Sequence, residues 1–494
     1  MIFKSGKGLI LGLLLVTVLL TGCSGDSEEL SSGDGLIKSV NGPEFVIKND
    51  PNPTEFSVDT DASSPTYNWI VEDPQLASFN NSDESKTILE PTTEGVAAGK
   101  VNIQVKVNDT LSDPIEVYFL SEENENTYGG DGEDQFHAIV ATKDWNQKGY
   151  IAAGYKQVPD KTNKHEYEKD AYVVRADTEG VIFGDRGWTS TVDGDGDSTA
   201  NEAADDRFMA IEDITKFAFK DEYFVIGYQW TTADQYEGYI MRVDRDGNLK
   251  NEYTDLRGDN VFLRSGVSDD YLVVVGNEGT QLGADGYIAK LDPEKNEGAV
   301  KKRIKVNNSS YTRLTAVEKT AADNFIITAF AGSDVNDTKA YFLKLNGNLD
   351  VSNPIVEKEI KYNTNSIKRL YNIKKTSDGN YVVVGSTANG NGFMAKLDDD
   401  GNTSFEKEYS SVAAIRDVTE RHSENGYILV SDDGSVTKTD ANGNQLKVVN
   451  ISDDLRALTK ADDGNNNYLV VGRKENDAHV AKLDDNLNKV NRIQ

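Results

Sequence analysis

The chain has 494 residues and a formal net charge of −31, with 37% hydrophobic residues, 22 Tyr and 17 Phe. That apolar share supports a folded chain of about two to four domains built from short strands, not a disordered one. The acidity argues against nucleic acid and anionic lipid as partners, because both would be repelled. It leaves soluble display, a cation or a basic partner open. Cys23 is the single cysteine, so no disulfide can form within the chain.

Residues 1–22 start with Lys4 and Lys7 and continue in an apolar run from Leu9 to Leu20. A basic start, a short apolar core and small residues before a break read as an export signal. The run is too short for a comfortable transmembrane helix. Leu20-Thr21-Gly22-Cys23 resembles the bacterial lipoprotein box. The resemblance implies cleavage before Cys23 and acylation (palmitate among the chains) of its thiol and new amine. Several acyl chains on one residue hold a protein firmly, as one chain does not. Residues 23–36 are small, polar and acidic and read as a flexible tether. Acidic residues just after the cysteine are similar to the surface-export signal of lipoproteins in the Bacteroides/Flavobacterium group. That implies outer-membrane attachment facing the cell exterior.

Residues 37–120 carry short apolar segments between Pro, Asn, Asp and Ser clusters. Val101, Ile103, Val105 and Val107 alternate with polar residues, the signature of a half-buried strand. Six or seven such strands fit a β-sandwich. Tyr67-x-Trp69, with a later Gly before the Val-x-Ile-x-Val run, resembles PKD-like and other bacterial immunoglobulin-like modules. Trp69 is expected in the core. The module is expected to lift the next domain away from the membrane. Residues 121–133 are acidic and Gly-containing and read as a linker.

From residue 134 to the C-terminus one pattern recurs seven times. Copy five shows it: Arg369-Leu370, then Tyr381-Val382-Val383-Val384-Gly385, then Gly392-Phe393-Met394-Ala395-Lys396-Leu397-Asp398, and a turn at Asp400-Gly401-Asn402. Equivalent positions 154, 227, 276, 329, 385, 431 and 472 lie 41 to 73 residues apart. That spacing is near the range for four-stranded propeller blades. The Val-Val-Val-Gly runs are continuously apolar, as expected when both faces are covered. Their Gly permits close approach of another backbone. The Lys/Arg before Leu/Val-Asp is expected on a solvated face. The fold expected is all-β: an N-terminal immunoglobulin-like β-sandwich, then a seven-bladed β-propeller over 134–494. An open solenoid is the alternative. The repeat is similar to a secreted Bacteroidetes repeat of cell-surface and adhesin-like propellers, "DGGYIVAGST" followed by "YLVKLDxNGN".

Asp193, Asp195 and Asp197 alternate on a Gly-rich stretch, with Asn201, Glu202 and Asp205 after them. Such spacing wraps carboxylates around a hard cation, and calcium takes about six to eight oxygens. It departs from the EF-hand, since Ser198 stands where Gly is expected and Ala204 where the bidentate Glu belongs. The run reads equally as an acidic surface turn. His137, His165, His422 and His479 show no metal spacing. Trp145, Trp188, Trp230 and Tyr236 are the candidate ligand-binding aromatics, suited to stacking on sugar or anchoring a protein. No catalytic residues stand out. The function expected is a non-catalytic surface lipoprotein that binds protein or glycan. By resemblance it is an accessory subunit of an outer-membrane transport or secretion complex. The alternative is a polysaccharide-degrading enzyme, a glycoside hydrolase or lyase, with an acid pair on the propeller axis.

Overall fold

The computed structural model describes residues 37–490, apart from 44, 51, 54, 93–99, 121–124, 129–131, 143–147, 160–166, 179, 181–187, 193–205, 214–221, 232–234, 246, 256–259, 268–270, 279–284, 293–297, 305, 307–308, 321, 334–336, 363–364 and 423–425. They divide into two compact units at residue 122. Cys23 and residues 193–205 lie outside the described residues, so the anchor and the Asp-rich stretch have no structural account.

The first unit contains β1 (Ile37–Asn41), β2 (Phe45–Ile47), β3 (Phe56–Thr60), β4 (Tyr67–Val71), β5 (Ala77–Phe79), β6 (Lys86–Thr87), β7 (Leu89–Pro91), β8 (Lys100–Val107), β9 (Thr110–Leu111) and β10 (Ile115–Leu120). β1, β3 and β6 form one sheet, β2, β10, β8 and β4 another, and β5 pairs β7. The alternation of β8 buries Val101, Ile103, Val105 and Val107. They pack with Phe56, Trp69, Val117 and Phe119. Trp69 is 3% exposed and donates its indole N–H to the Glu84 carbonyl at 2.9 Å. That bond satisfies the one polar group a buried Trp carries.

The second unit consists of four-stranded antiparallel sheets in chain order. It opens with β11 (Glu125–Tyr128). The first sheet is β12 (Gln135–Thr142), β13 (Gly149–Pro159), β14 (Tyr167–Asp177) and β15 (Trp188–Val192). The second is β16 (Arg207–Asp213), β17 (Glu222–Thr231), β18 (Gln235–Asp244) and β19 (Leu249–Asp255). The third is β20 (Asn260–Val267), β21 (Leu272–Glu278), β22 (Asp285–Leu291) and β23 (Gly298–Ile304). The fourth is β24 (Tyr311–Lys319), β25 (Phe325–Gly332), β26 (Thr338–Leu345) and β27 (Val356–Glu359). The fifth adds a short β28 (Lys361–Tyr362) to β29 (Asn365–Lys375), β30 (Tyr381–Thr387), β31 (Gly392–Leu397) and β32 (Thr403–Tyr409). The sixth is β33 (Ile415–Glu420), β34 (Tyr427–Ser431), β35 (Ser435–Thr439) and β36 (Gln445–Asn450). The seventh is β37 (Asp454–Lys460), β38 (Tyr468–Lys474), β39 (Asp477–Leu483) and, on its outer edge, β11. Each first strand neighbours the first strand of the next sheet, and β37 returns to β12. The unit is therefore an all-β, propeller-like ring with β12, β16, β20, β24, β29, β33 and β37 innermost.

Closure depends on β11, which the sequence reads as linker. Its acidic, Asn-containing composition hides the strand. The pairing becomes visible only in register, Glu125 to Ala481 through Tyr128 to Ala478. Filling the outer edge of the last sheet from the start of the unit ties the two ends of the ring together.

Every inner strand is bulged at one equivalent place. The register slips after Phe136, Phe208, Phe262, Leu314, Leu370, Ile415 and Leu455, each a pairing partner of the recurring Gly position. A Cβ on Gly385 would lie 2.0 Å from the Arg369 carbonyl oxygen, and one on Gly472 1.9 Å from that of Asp454. The bulge presses backbone onto backbone there, which is why the repeat writes Gly. Copies four and six accommodate Ala329 and Ser431 at that position.

The lysine before Leu-Asp is not solvated as expected. Lys344 and Lys482 are buried, Lys290, Lys396 and Lys438 half-buried. Three of them clasp the turn of the next sheet: Lys290 the Gly347 carbonyl at 2.9 Å, Lys344 the Asp399 carboxylate, and Lys438 that of Asp485 at 2.9 Å. The outer strands add Lys302 to the Leu349 carbonyl at 2.8 Å and Lys447 to that of Asn486 at 2.6 Å. Alternation along the strand points these stems away from their own sheet, and the neighbouring sheet occupies that space.

Candidate binding site at the axial channel

The inner strands enclose an axial cavity of about 400 Å³. It is lined by residues of all of them, among them His137, Glu212, Arg264, Glu318, Lys374, Asp417 and Thr459. A volume of this size suits a small ligand or one group of a larger one.

The deeper acids are engaged. Asp417, 4% exposed, accepts from Asn372 Nδ2 at 2.6 Å, from Val418 N at 2.8 Å and from Leu458 N at 3.0 Å. It thereby joins β29, β33 and β37. Glu212 accepts from the Ser265 hydroxyl at 2.8 Å. Desolvation inside the channel opposes the charge of Lys374, whose side chain keeps contact with solvent, yet Asp417, Glu318 and Glu212 together hold its ammonium above the usual range.

The mouth is basic. It lies at the bulges, toward the hairpins between second and third strands. Arg416 grips Asp432 in a bidentate pair, its second bond 2.6 Å, and its guanidinium lies 3.8 Å from the Tyr371 ring centre. Arg456 reaches the same Asp432 at 3.1 Å and also pairs with Asp454. Arg207 lies over the Tyr155 ring at 4.8 Å, and Tyr155 also packs on His137, 5.6 Å between centroids. Arg264 donates to the main-chain carbonyls of Met209 and Leu263. Burial first, then Arg456, Arg207, Arg264 and Arg416, push the His137 imidazole well below its ordinary pKa. It is a neutral ring in a positive field.

Of the aromatics singled out in the sequence, Tyr236 alone has a described side chain. Trp145 lies outside the described residues, and nothing is described of the Trp188 and Trp230 side chains. Trp230 pairs in register with Tyr236 beside the β17–β18 hairpin. Tyr236 is half-buried and meets Tyr228 edge to face at 5.3 Å. Trp188 pairs with Arg175, at the end of its sheet opposite the β13–β14 hairpin. The mouth arginines escape a reading of the sequence because each looks like an isolated surface charge. A signal exists: inner strands two to seven each carry one Arg within two residues of the bulged apolar residue, and strand one carries His137.

No family model matches this sequence, and no curated protein matches it. Among solved structures, the chain is similar to the C-terminal WD40 domain of Sif2, at 12% identity over 72% of this chain and 84% of that one, TM-score 0.44. It is also similar to a protein of unknown function from Bacteroides caccae, at 10% identity over 52% of this chain and 89% of that one, TM-score 0.37.

Proposed function

We propose that this chain is a non-catalytic surface lipoprotein: a lipid anchor at Cys23, an acidic tether, an immunoglobulin-like spacer and a seven-bladed β-propeller that binds protein or glycan. It serves as an accessory subunit of an outer-membrane transport or secretion complex. The observation that carries the non-catalytic reading is Asp417. This axial carboxylate spends its oxygens on three donors that join neighbouring sheets, a structural use that leaves it poorly suited to proton transfer. The cation-rich mouth and the Tyr228–Tyr236 pair lie toward the same end of the ring, and this supports a binding face there. Calcium on Asp193, Asp195, Asp197, Asn201, Glu202 and Asp205 would stiffen the insertion after β15.

The test is affinity capture with the full lipidated chain from detergent-solubilised outer membrane, beside incubation with a polysaccharide panel. Recovery of a β-barrel membrane protein, or glycan retention without chain cleavage, is the expected result. Release of new reducing ends by the purified protein would overturn it.

A further inference from the structure

We propose that the channel mouth formed by His137, Arg207, Arg264, Arg416 and Arg456 binds the carboxylate of a small anionic ligand. The proposal rests on the binding-protein reading and names the ligand class of that face.

A chain of net charge −31 has no solubility reason to collect guanidinium groups around its own axis. Four of them lie close enough to His137 to oppose its protonation. Asp432 and Asp454 answer Arg416 and Arg456. Arg264 is held by neutral carbonyls. Burial first pushes its guanidinium below the usual range, and Arg416 and Arg456 add to this, while Asp417 and Glu212 oppose it. An anion in the mouth relieves that repulsion.

The unpaired groups also ask for an acceptor. His137 is 7% exposed and lines the cavity, and its Nε2 has no hydrogen-bond partner among the described residues. Arg456 Nε is likewise buried and unpartnered among them. A buried polar atom left without a partner calls for an explanation, and where it borders a cavity a bound water or ligand supplies one. A guanidinium has donors only, and a neutral imidazole can present an N–H. Arg456 Nε can only donate, and His137 Nε2 donates in the tautomer that carries its proton there, so the partner sought is an oxygen-rich acceptor. Tyr371 and Tyr155 pack against the Arg416 and Arg207 guanidinium groups, so less ordering remains on binding. Planar forks match the paired oxygens of a carboxylate, and a cavity of about 400 Å³ suits a small molecule better than a polymer segment.

The carboxylate can come from a sugar acid or from a simple organic acid. Calorimetric titration of the full chain with sodium galacturonate, sodium citrate and neutral galactose, at matched ionic strength, separates the sources. At least one carboxylate is expected to bind and to raise the Tm, and galactose is not. Binding of galacturonate alone assigns a sugar acid, and binding of citrate assigns an organic acid. Arg264→Gln is expected to weaken binding roughly ten- to hundredfold, with Arg264→Lys intermediate. His137→Leu removes an unpartnered imidazole and should keep the fold while weakening binding. No binding of either acid at about 10 mM, equal binding of galactose, or undiminished binding by folded His137→Leu together with Arg264→Gln overturns the proposal. Partner capture by wild type without carboxylate binding sinks this inference alone. Carboxylate binding without capture sinks only the platform reading.

Discussion

Glu125 and His479 are separated by 354 positions and meet at 2.7 Å, Oε1 to Nε2. The bond pins β11 to the last sheet, and Glu125 also takes Lys474 at 2.6 Å and Lys489. One half-buried carboxylate gathers three donors at the seam of the ring. Removing it strands them. Glu125→Ala is expected to lower stability by about 2–4 kcal/mol, read from urea unfolding of the intact chain. A chain beginning at residue 129 loses the strand itself and should expose the β39 edge and self-associate. A monomer of unchanged stability would show that the seam lies elsewhere.

Acid should loosen the protein in two stages. Burial first, against the pull of Glu125, holds His479 below its ordinary pKa, and burial with the neighbouring guanidinium groups does so for His137. A depressed imidazole stabilises the fold above the ordinary histidine value, about 6.5, and that contribution is lost as pH falls below it. Glu125 is likewise depressed: burial raises its pKa, but His479, Lys474 and Lys489 outweigh burial. Its contribution is present above the ordinary carboxylate range, about 4.3, and is lost below it. Urea midpoints should therefore be flat above about pH 7, fall through the imidazole range, and fall again below pH ~4. His137→Leu and His479→Gln together should remove much of the first stage. A single fall confined to the carboxylate range would contradict this.

Gly385 and Gly464 should fail differently. A side chain at Gly385 meets backbone, while Gly464 has a φ of +79° with nothing within 4 Å of a Cβ. Gly385→Ala is expected to cost about 1–3 kcal/mol by overpacking. Gly464→Ala costs about 1–2 kcal/mol through the left-handed backbone, and Gly464→Asn much less, since Asn tolerates that region. Gly385→Asn should be worse than Gly385→Ala. Equal tolerance of Asn at both sites, measured by thermal unfolding, would count against backbone crowding at the bulge.

Much of the ring is legible in the sequence because period-two strands, Gly positions and Asp-x-x-Gly-Asn turns repeat. The turns behave as read: Asn402 N and Nδ2 donate to the two Asp398 oxygens at 2.7 and 2.9 Å, and Asn444 does the same for Asp440. Interaction across copies is what a linear reading cannot see. Lys344 looks like a surface residue because its own strand says nothing of the turn at Asp399. Glu125 looks like linker because its partners lie at the other end of the chain. The mouth arginines occupy different offsets from the bulge, so no single column of the repeat contains them.

Asp417 separates the two readings of the channel most cleanly. An axial acid that performs glycoside cleavage is needed for turnover and is a small part of the stability. A carboxylate that accepts from Asn372, Val418 and Leu458 is the reverse. Asp417→Asn keeps the shape but turns one acceptor into a donor facing those N–H groups, and it leaves Lys374 with less compensating charge. We expect a loss of about 2–4 kcal/mol in urea unfolding, with carboxylate binding at the mouth retained at temperatures where the variant is folded. Asp417→Ala should be worse still, because all three donors are left buried. A variant as stable as wild type would remove the structural role assigned to Asp417, and one that also abolished a polysaccharide cleavage seen in wild type would move the site from binding to catalysis.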